Sequence, residues 1–211
     1  MHRVKPPFFT LLAVFLLAPT MTSAGEFNAV MDIGDPMPAF ENLPTTDGGT
    51  LSSADLQASV VVLVSLANHC PWVKGMDAGL VALVDQFEGQ DVRVVGFAVN
   101  HREDDRLPAM KDHAARVGYN FTYMFDESQE IGRRLGATRT PEYFVFNAER
   151  KLVYMGLLTN SPARVTRKGD ISFINGDPVD FYVADAISAT LKGEPVDPAE
   201  TRAHGCTVKY E

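Results

Sequence analysis

The stretch that most constrains this chain is "VVVLVSLA", residues 60–67. A continuous aliphatic run with no polar alternation predicts a strand buried on both faces, as in the middle of a layered α/β sheet. From Pro71 the period changes. Val73, Met76, Leu80, Val84 and Phe87 recur at steps of three and four, which predicts a helix with one apolar stripe. Pro71 suits the first turn of that helix, where an amide hydrogen has no intrahelical acceptor. Cys70 falls between the two, in "ANHCPWVKG", at a strand-to-helix corner.

The remaining segments extend this pattern. "VRVVGFAVN" (92–100) reads as a second buried strand, Leu107 to Val117 as a helix and "FTYMFD" as a short strand. "SQEIGRRLG" offers a serine cap, a helical core and a closing glycine. "YFVFN" and "KLVYMG", separated by "AER", predict an antiparallel hairpin. "AFENLPTTDGGTLSS" reads as an irregular hairpin around its Asp-Gly-Gly turn. Thr159 to Asp177 reads as a polar loop and "HREDDR" (101–106) as a solvated one. His113 sits in the amphipathic helix and needs no special role. "VDFYVADAISATLKG" predicts a last helix closed by Gly193, and the tail from Glu194 shows little periodicity. Alternating strands and helices, then a hairpin and a final helix, give an α/β layer structure around a mixed sheet.

The first 24 residues are read separately. "MHRVK", an apolar stretch from Phe8 to Ala18, and small residues Thr22-Ser23-Ala24 form the three parts of a secretory signal peptide. The reading is therefore a leader over 1–24, one domain over 25–211, and export, most simply to a periplasm. Loss of the cations Arg3 and Lys5 takes the net charge from −8 to −10. A domain this acidic is a poor partner for nucleic acid or anionic lipid, both of which need basic surfaces. Outside the cytosol thiols tend to be oxidised, and the only internal pairing available joins Cys70 to Cys206 across 135 intervening residues. As a structural bond it would constrain the unfolded chain by about 4–5 kcal/mol. Sequence leaves open whether that bond is permanent, transient or absent.

Reactivity belongs to the thiolate, and a helix N-terminus favours an anion through its free N–H groups and dipole. Cys70 at that cap is expected to be ionised and open to solvent, with His69 and Lys74 as nearby sources of positive charge. Trp72 reads equally as a docking aromatic or as packing against the helix start. In "TRTPEYF", Thr140-Pro141 leads into a strand; local sequence alone favours an ordinary trans proline there.

Together these elements resemble the thioredoxin superfamily, and within it the peroxiredoxin-like redoxins related to alkyl hydroperoxide reductase and thiol-specific antioxidant proteins. The resemblance runs from "IGDPMPAFENL" through "NHCPWVKG", "GFAVN" and "YMFDESQEIGRRLGATRTPEYFVFNAERKLVYMG" to "HGCTVKY". It implies a thioredoxin-like fold, a central mixed β-sheet flanked by helices, with an N-terminal hairpin and a C-terminal tail. It places Cys70 at the second cysteine of the CxxC motif, which is also the peroxidatic position. It implies that Pro141 is the cis-proline facing that thiol, and that Cys206 is the cysteine of a terminal Gly-Cys element. Two departures stand out. Ala67 replaces the first cysteine, where a peroxiredoxin carries threonine, and Arg139 stands where many relatives have cysteine. Arg139 lies one residue early for a thiolate-stabilising arginine, and a solvent-facing loop arginine is the competing reading.

The expected function is that of an exported one-site thiol oxidoreductase. Cys70 attacks a peroxide oxygen or a disulfide sulfur, Cys206 resolves the product, His69 and the helix terminus support the thiolate, and Thr140, Pro141 and Arg139 line the opposite wall. Its partners would be a peroxide or protein disulfide and an electron-donating thiol protein, with no nucleic acid and no membrane after signal cleavage. No cofactor or resident metal is expected. A degenerate thioredoxin-fold binding or scaffold protein with a structural Cys70–Cys206 bond is the second reading. Metal handling by His69, Cys70, His204 and Cys206, a set suited to Cu(I) or Zn, is a third.

Overall fold

The computed structural model describes residues 25–211, so the expected leader over 1–24 lies outside the described residues. In chain order the strands are β1 (Leu43–Pro44), β2 (Thr50–Leu51), β3 (Val60–Ser65), β4 (Val92–Ala98), β5 (Thr122–Phe125), β6 (Arg139–Thr140), β7 (Glu142–Phe146), β8 (Leu152–Gly156), β9 (Ala163–Val165), β10 (Ile171–Phe173) and β11 (Cys206–Thr207). The helices are α1 (Pro71–Gln86), α2 (Leu107–Val117), α3 (Glu130–Arg134) and α4 (Tyr182–Lys192).

Five strands form the main sheet in the order β5-β4-β3-β7-β8. β3, β4 and β5 run parallel, whereas β7 and β8 are antiparallel additions. The unbroken apolar run of β3 has its cause in this position: all six residues are buried, because both faces of the central strand are covered. Val60, Val62 and Val64 pack towards α1 and α4 with Tyr143 and Val145 of β7. Val61 and Leu63 pack on the other face with Phe144, Phe146, Ile131 of α3 and Leu135. The period of two along each strand thus divides the core into two layers.

Expectation and structure differ at several points. The cap of α3 comes chiefly from the buried carboxylate of Asp126, which accepts from the backbone N–H of Glu130 at 3.2 Å and of Ile131 at 2.9 Å. Ser128 contributes one bond, to Glu130 N at 3.2 Å, and Gln129 holds the cap position itself. The segment read as a polar loop contains the β9–β10 hairpin, turned at Gly169 with φ +90°. Its strands are only three residues long, too short to stand out as strands in the sequence. The tail, without periodicity of its own, contributes β11 by pairing with β6.

The hairpin is docked on the first turns of α1 at Gly75. A Cβ built there would lie 2.4 Å from the Ala163 carbonyl oxygen and 2.5 Å from Arg164 Cα, both backbone atoms. In an open helix Gly→Ala gains roughly 1 kcal/mol. Here Gly75→Ala is expected to lose about 1–3 kcal/mol through overpacking, read as a lower urea midpoint. A higher midpoint would contradict this docking.

Candidate functional site

The corner after β3 is built by backbone bonds. Leu66 N–H donates to Phe97 O at 2.8 Å, continuing the pairing with β4 one residue past the end of β3, and Cys70 N–H closes a turn on Ala67 O at 3.0 Å. Cys70 is then the cap residue of α1, with φ −74° and ψ 121°, and Pro71 opens the helix as its sequence predicts. The corner is fixed from outside by residues 104 and 105. Asn68 Nδ2 donates to Asp104 O at 2.8 Å, and His69 N–H donates to Asp105 Oδ1 at 3.2 Å. Asp105, fully buried, also binds His69 Nδ1. The loop read as solvated therefore turns one carboxylate inward, where it sets the orientation of the imidazole.

The opposite wall is the Thr140-Pro141 peptide, which is cis, as the resemblance implied. The Cys70 thiol donates to Thr140 O at 3.1 Å. On its other side Thr140 pairs with Cys206 across β6–β11, and Val208 N–H donates to Thr138 O at 3.0 Å. Gly205 permits this approach: a Cβ there would meet Thr140 O at 2.1 Å. Cys206 thereby neighbours both the Cys70 thiol and the Trp72 backbone N–H, in the first turn of α1. Burial, followed by the neighbouring Cys70, pushes the Cys206 thiol up to about 12. At neutral pH it holds its proton.

The expectation of a solvent-open Cys70 is corrected here. Its exposure is 0%, because the tail crosses directly over the corner. The tail is itself well fastened. Gln129 Nε2 donates to Lys209 O at 2.9 Å, Gln129 Oε1 accepts Glu211 N–H at 2.8 Å, and Tyr210 OH donates to Ala137 O at 2.6 Å. His101 Nδ1 pairs with Glu211 at 3.0 Å. Arg139 directs its guanidinium to Thr207 Oγ1 and so holds the tail. Trp72 is half-buried between the His204 ring, at 4.3 Å, and the Arg164 guanidinium, at 5.4 Å. It therefore belongs to the tail contact as well as to the helix start.

Of the six site residues predicted from sequence, Cys70, Cys206, Thr140 and Pro141 converge on one point, His69 adjoins it, and Arg139 faces the tail. The thiol and imidazole set of the metal reading does not gather. The potential ligands that do gather among the described residues are His69, Asp104 and Asp105, within 4.8 Å of one another. Asp105 is taken up by His69, and Asp104 by Arg102 at 2.9 Å. His113 is buried, bound to Asp77 and Tyr119 at 3.2 Å each, and holds α2 to α1.

The predicted residue Thr140 has a fully buried Oγ1 with no partner among the described residues. One further group, Glu142, escaped the sequence reading. Glu142 starts β7 as a 4%-exposed carboxylate that accepts from Thr138 N–H at 2.8 Å and Arg139 N–H at 3.0 Å. The charge set in front of "YFVFN" was its only signal. Burial pushes Glu142 up to about 7 against the effect of those two donors.

The Redoxin family model matches residues 32–169, well over half of the chain. Among solved structures, an uncharacterized conserved protein from Geobacillus kaustophilus is 29% identical, with TM-score 0.77 over 87% of this chain and 95% of that one. A hypothetical protein from Sinorhizobium meliloti 1021 is 25% identical, with TM-score 0.76 over 87% of this chain and 97% of that one. A putative thiol:disulfide interchange protein DsbE from Chlorobium tepidum shares the fold at 21% identity, with TM-score 0.55 over 77% of this chain and 97% of that one. No curated protein matches the chain.

Two predictions concern this geometry. Between about pH 4.5 and 7 folded Glu142 binds a proton that the unfolded chain releases, so stability falls as pH rises through that window. Glu142→Gln, which keeps an acceptor for both N–H groups, is expected to remove a pH dependence of about 3 kcal/mol, read as the difference between the urea-unfolding profiles of the two proteins. Parallel profiles would contradict a proton on Glu142. Gly205→Ala is expected to push β11 off Thr140 and speed iodoacetamide labelling of reduced Cys70; an unchanged rate would mean that the tail does not shield it.

Proposed function

The chain belongs to the Redoxin family, and on that premise we propose that it is an exported, peroxiredoxin-like thiol oxidoreductase with Cys70 as the attacking sulfur. Residues 1–24 act as the leader and 25–211 as the working domain, placed in the periplasm. The observation that carries the reading is the apposition of Cys70 and Cys206 across Thr140.

Cys206 keeps its proton, so the first nucleophile is Cys70 at the α1 cap, which gives its proton to solvent as it attacks. It attacks the terminal oxygen of a peroxide; the O–O bond breaks, the alkoxide or hydroxide leaves with a proton from solvent, and Cys70 becomes a sulfenic acid. Cys206 then loses its proton and attacks the Cys70 sulfur, expelling water and closing the disulfide. The Trp72 N–H directed at Cys206 supports the sulfur while it is anionic. A dithiol protein reduces the bond by exchange and is itself oxidised. A protein disulfide is the alternative electrophile, giving a mixed disulfide that Cys206 resolves. His69, oriented by Asp105, is a positioning residue beside the thiol. Thr140, whose carbonyl meets the Cys70 thiol, also carries a buried hydroxyl with no partner among the described residues, a polar group of the kind that Ala67 lacks. Since the tail covers the thiol, substrate entry requires β11 to part from β6.

The second reading, a scaffold with a structural Cys70–Cys206 bond, is favoured by the complete burial of Cys70. Titrating thiols with and without mild reductant distinguishes the two, because a structural bond resists reduction.

The deciding experiment supplies hydrogen peroxide and excess dithiothreitol to the purified protein. Multiple turnovers are expected, falling to the uncatalysed rate in Cys70→Ser. In Cys206→Ser, turnover should slow and dimedone should trap a sulfenic acid on Cys70. Equal peroxide consumption by wild type and Cys70→Ser would overturn the assignment.

A further inference from the structure

Away from the two cysteines, an apolar trough runs along the outer side of α1. Its floor follows the helix from Lys74 to Gln86, about 18 Å at the helical rise per residue. Ile171 and Phe173 of β10 and Phe181, just before α4, form the rim, with Leu158 below. The cavity measures about 310 Å³, within the range of small-molecule sites. Ile171, Phe173 and Phe181 are 50%, 37% and 49% exposed, so apolar surface faces water around a concave site.

Charge narrows the occupant. The lining contains one cation, Lys74, and no carboxylate; its other side-chain polar groups are Gln86 and Thr159. Lys74 enters no ion pair among the described residues. One free ammonium at one end of a long apolar trough complements a ligand with one anionic head and one apolar tail. We propose that this groove binds a single-chain anionic amphiphile of the fatty-carboxylate class. Its carboxylate lies on Lys74, one helical turn beyond Cys70, and its chain lies along α1 towards Gln86. The trough is narrow and concave where a protein-docking face would be broad. The site does not depend on the thiol chemistry.

Dodecanoate, kept below its micellar concentration, is titrated into the purified protein by calorimetry. Saturable binding at one per chain is expected. Lys74→Gln should weaken it by about threefold to fivefold, as for an exposed ion pair, and should leave unchanged the binding of dodecyl maltoside, which has an uncharged head. Ala82 lies in the floor at an exposed helix position, so Ala82→Trp fills the groove and Ala82→Glu places a carboxylate in it. Both should abolish dodecanoate binding with circular dichroism unchanged. No saturable binding, or wild-type binding in both Ala82 variants, overturns the proposal. So does a dimer in sedimentation that Ala82→Glu dissociates without any dodecanoate binding, which would assign the groove to a second copy. Retention on phosphatidylglycerol vesicles without binding of monomeric dodecanoate overturns it equally, in favour of a membrane surface.

Discussion

The carbonyl of Thr140 accepts the Cys70 thiol at 3.1 Å, while the same residue pairs with Cys206 across β6–β11. Two cysteines with 135 residues between them in the chain meet because one peptide group holds both. Each side is fixed independently. Cys70 is fixed by the end of β3 and the start of α1, Thr140 by the start of β7, and Cys206 by a tail anchored on Gln129 and Tyr210. Gly205 sets how close the tail can come. The local chemistry follows from that closeness, since the same burial that hides Cys70 keeps Cys206 protonated.

The arrangement separates the roles of two like groups by environment. Cys206 is half-buried beside a neighbouring thiol and holds its proton, while the nearby Trp72 N–H opposes that effect. On the far face of the sheet Glu142 is kept near neutrality by desolvation while its carboxyl secures Thr138 and Arg139, the approach to the Thr140 peptide. A buried carboxyl is an expensive way to fix a turn. It places a titrating group directly behind the wall that carries the thiol contact.

Much of the fold was legible because it rests on local periodicity. The continuous β3 run, the α1 stripe, α2 at Leu107–Val117 and the β7–β8 hairpin all carry their own signal. At the site, Cys70 was legible because a strand, a cysteine and a helix-starting proline are consecutive. What stayed hidden is what depends on distant partners. Cys70 reads as solvent-exposed until a tail with no pattern of its own is laid across it. Asp105 reads as one more charge in "HREDDR" until His69 comes to meet it. The β9–β10 hairpin, with strands of only three residues, reads as loop until Gly75 of α1 receives it. Arg139 carries a cation whose partner, Thr207, lies 68 residues away.

On the proposed function, the Cys70 and Cys206 sulfurs form a reversible redox pair. The direct measurement is peptide mass spectrometry of fully reduced protein after one equivalent of hydrogen peroxide, with remaining thiols alkylated in denaturant. The expected result is a Cys70–Cys206 disulfide peptide, loss of both alkylated cysteines, and recovery of both after reduction. Sulfinic acid on Cys70 with Cys206 still free, or two unmodified thiols, would contradict it.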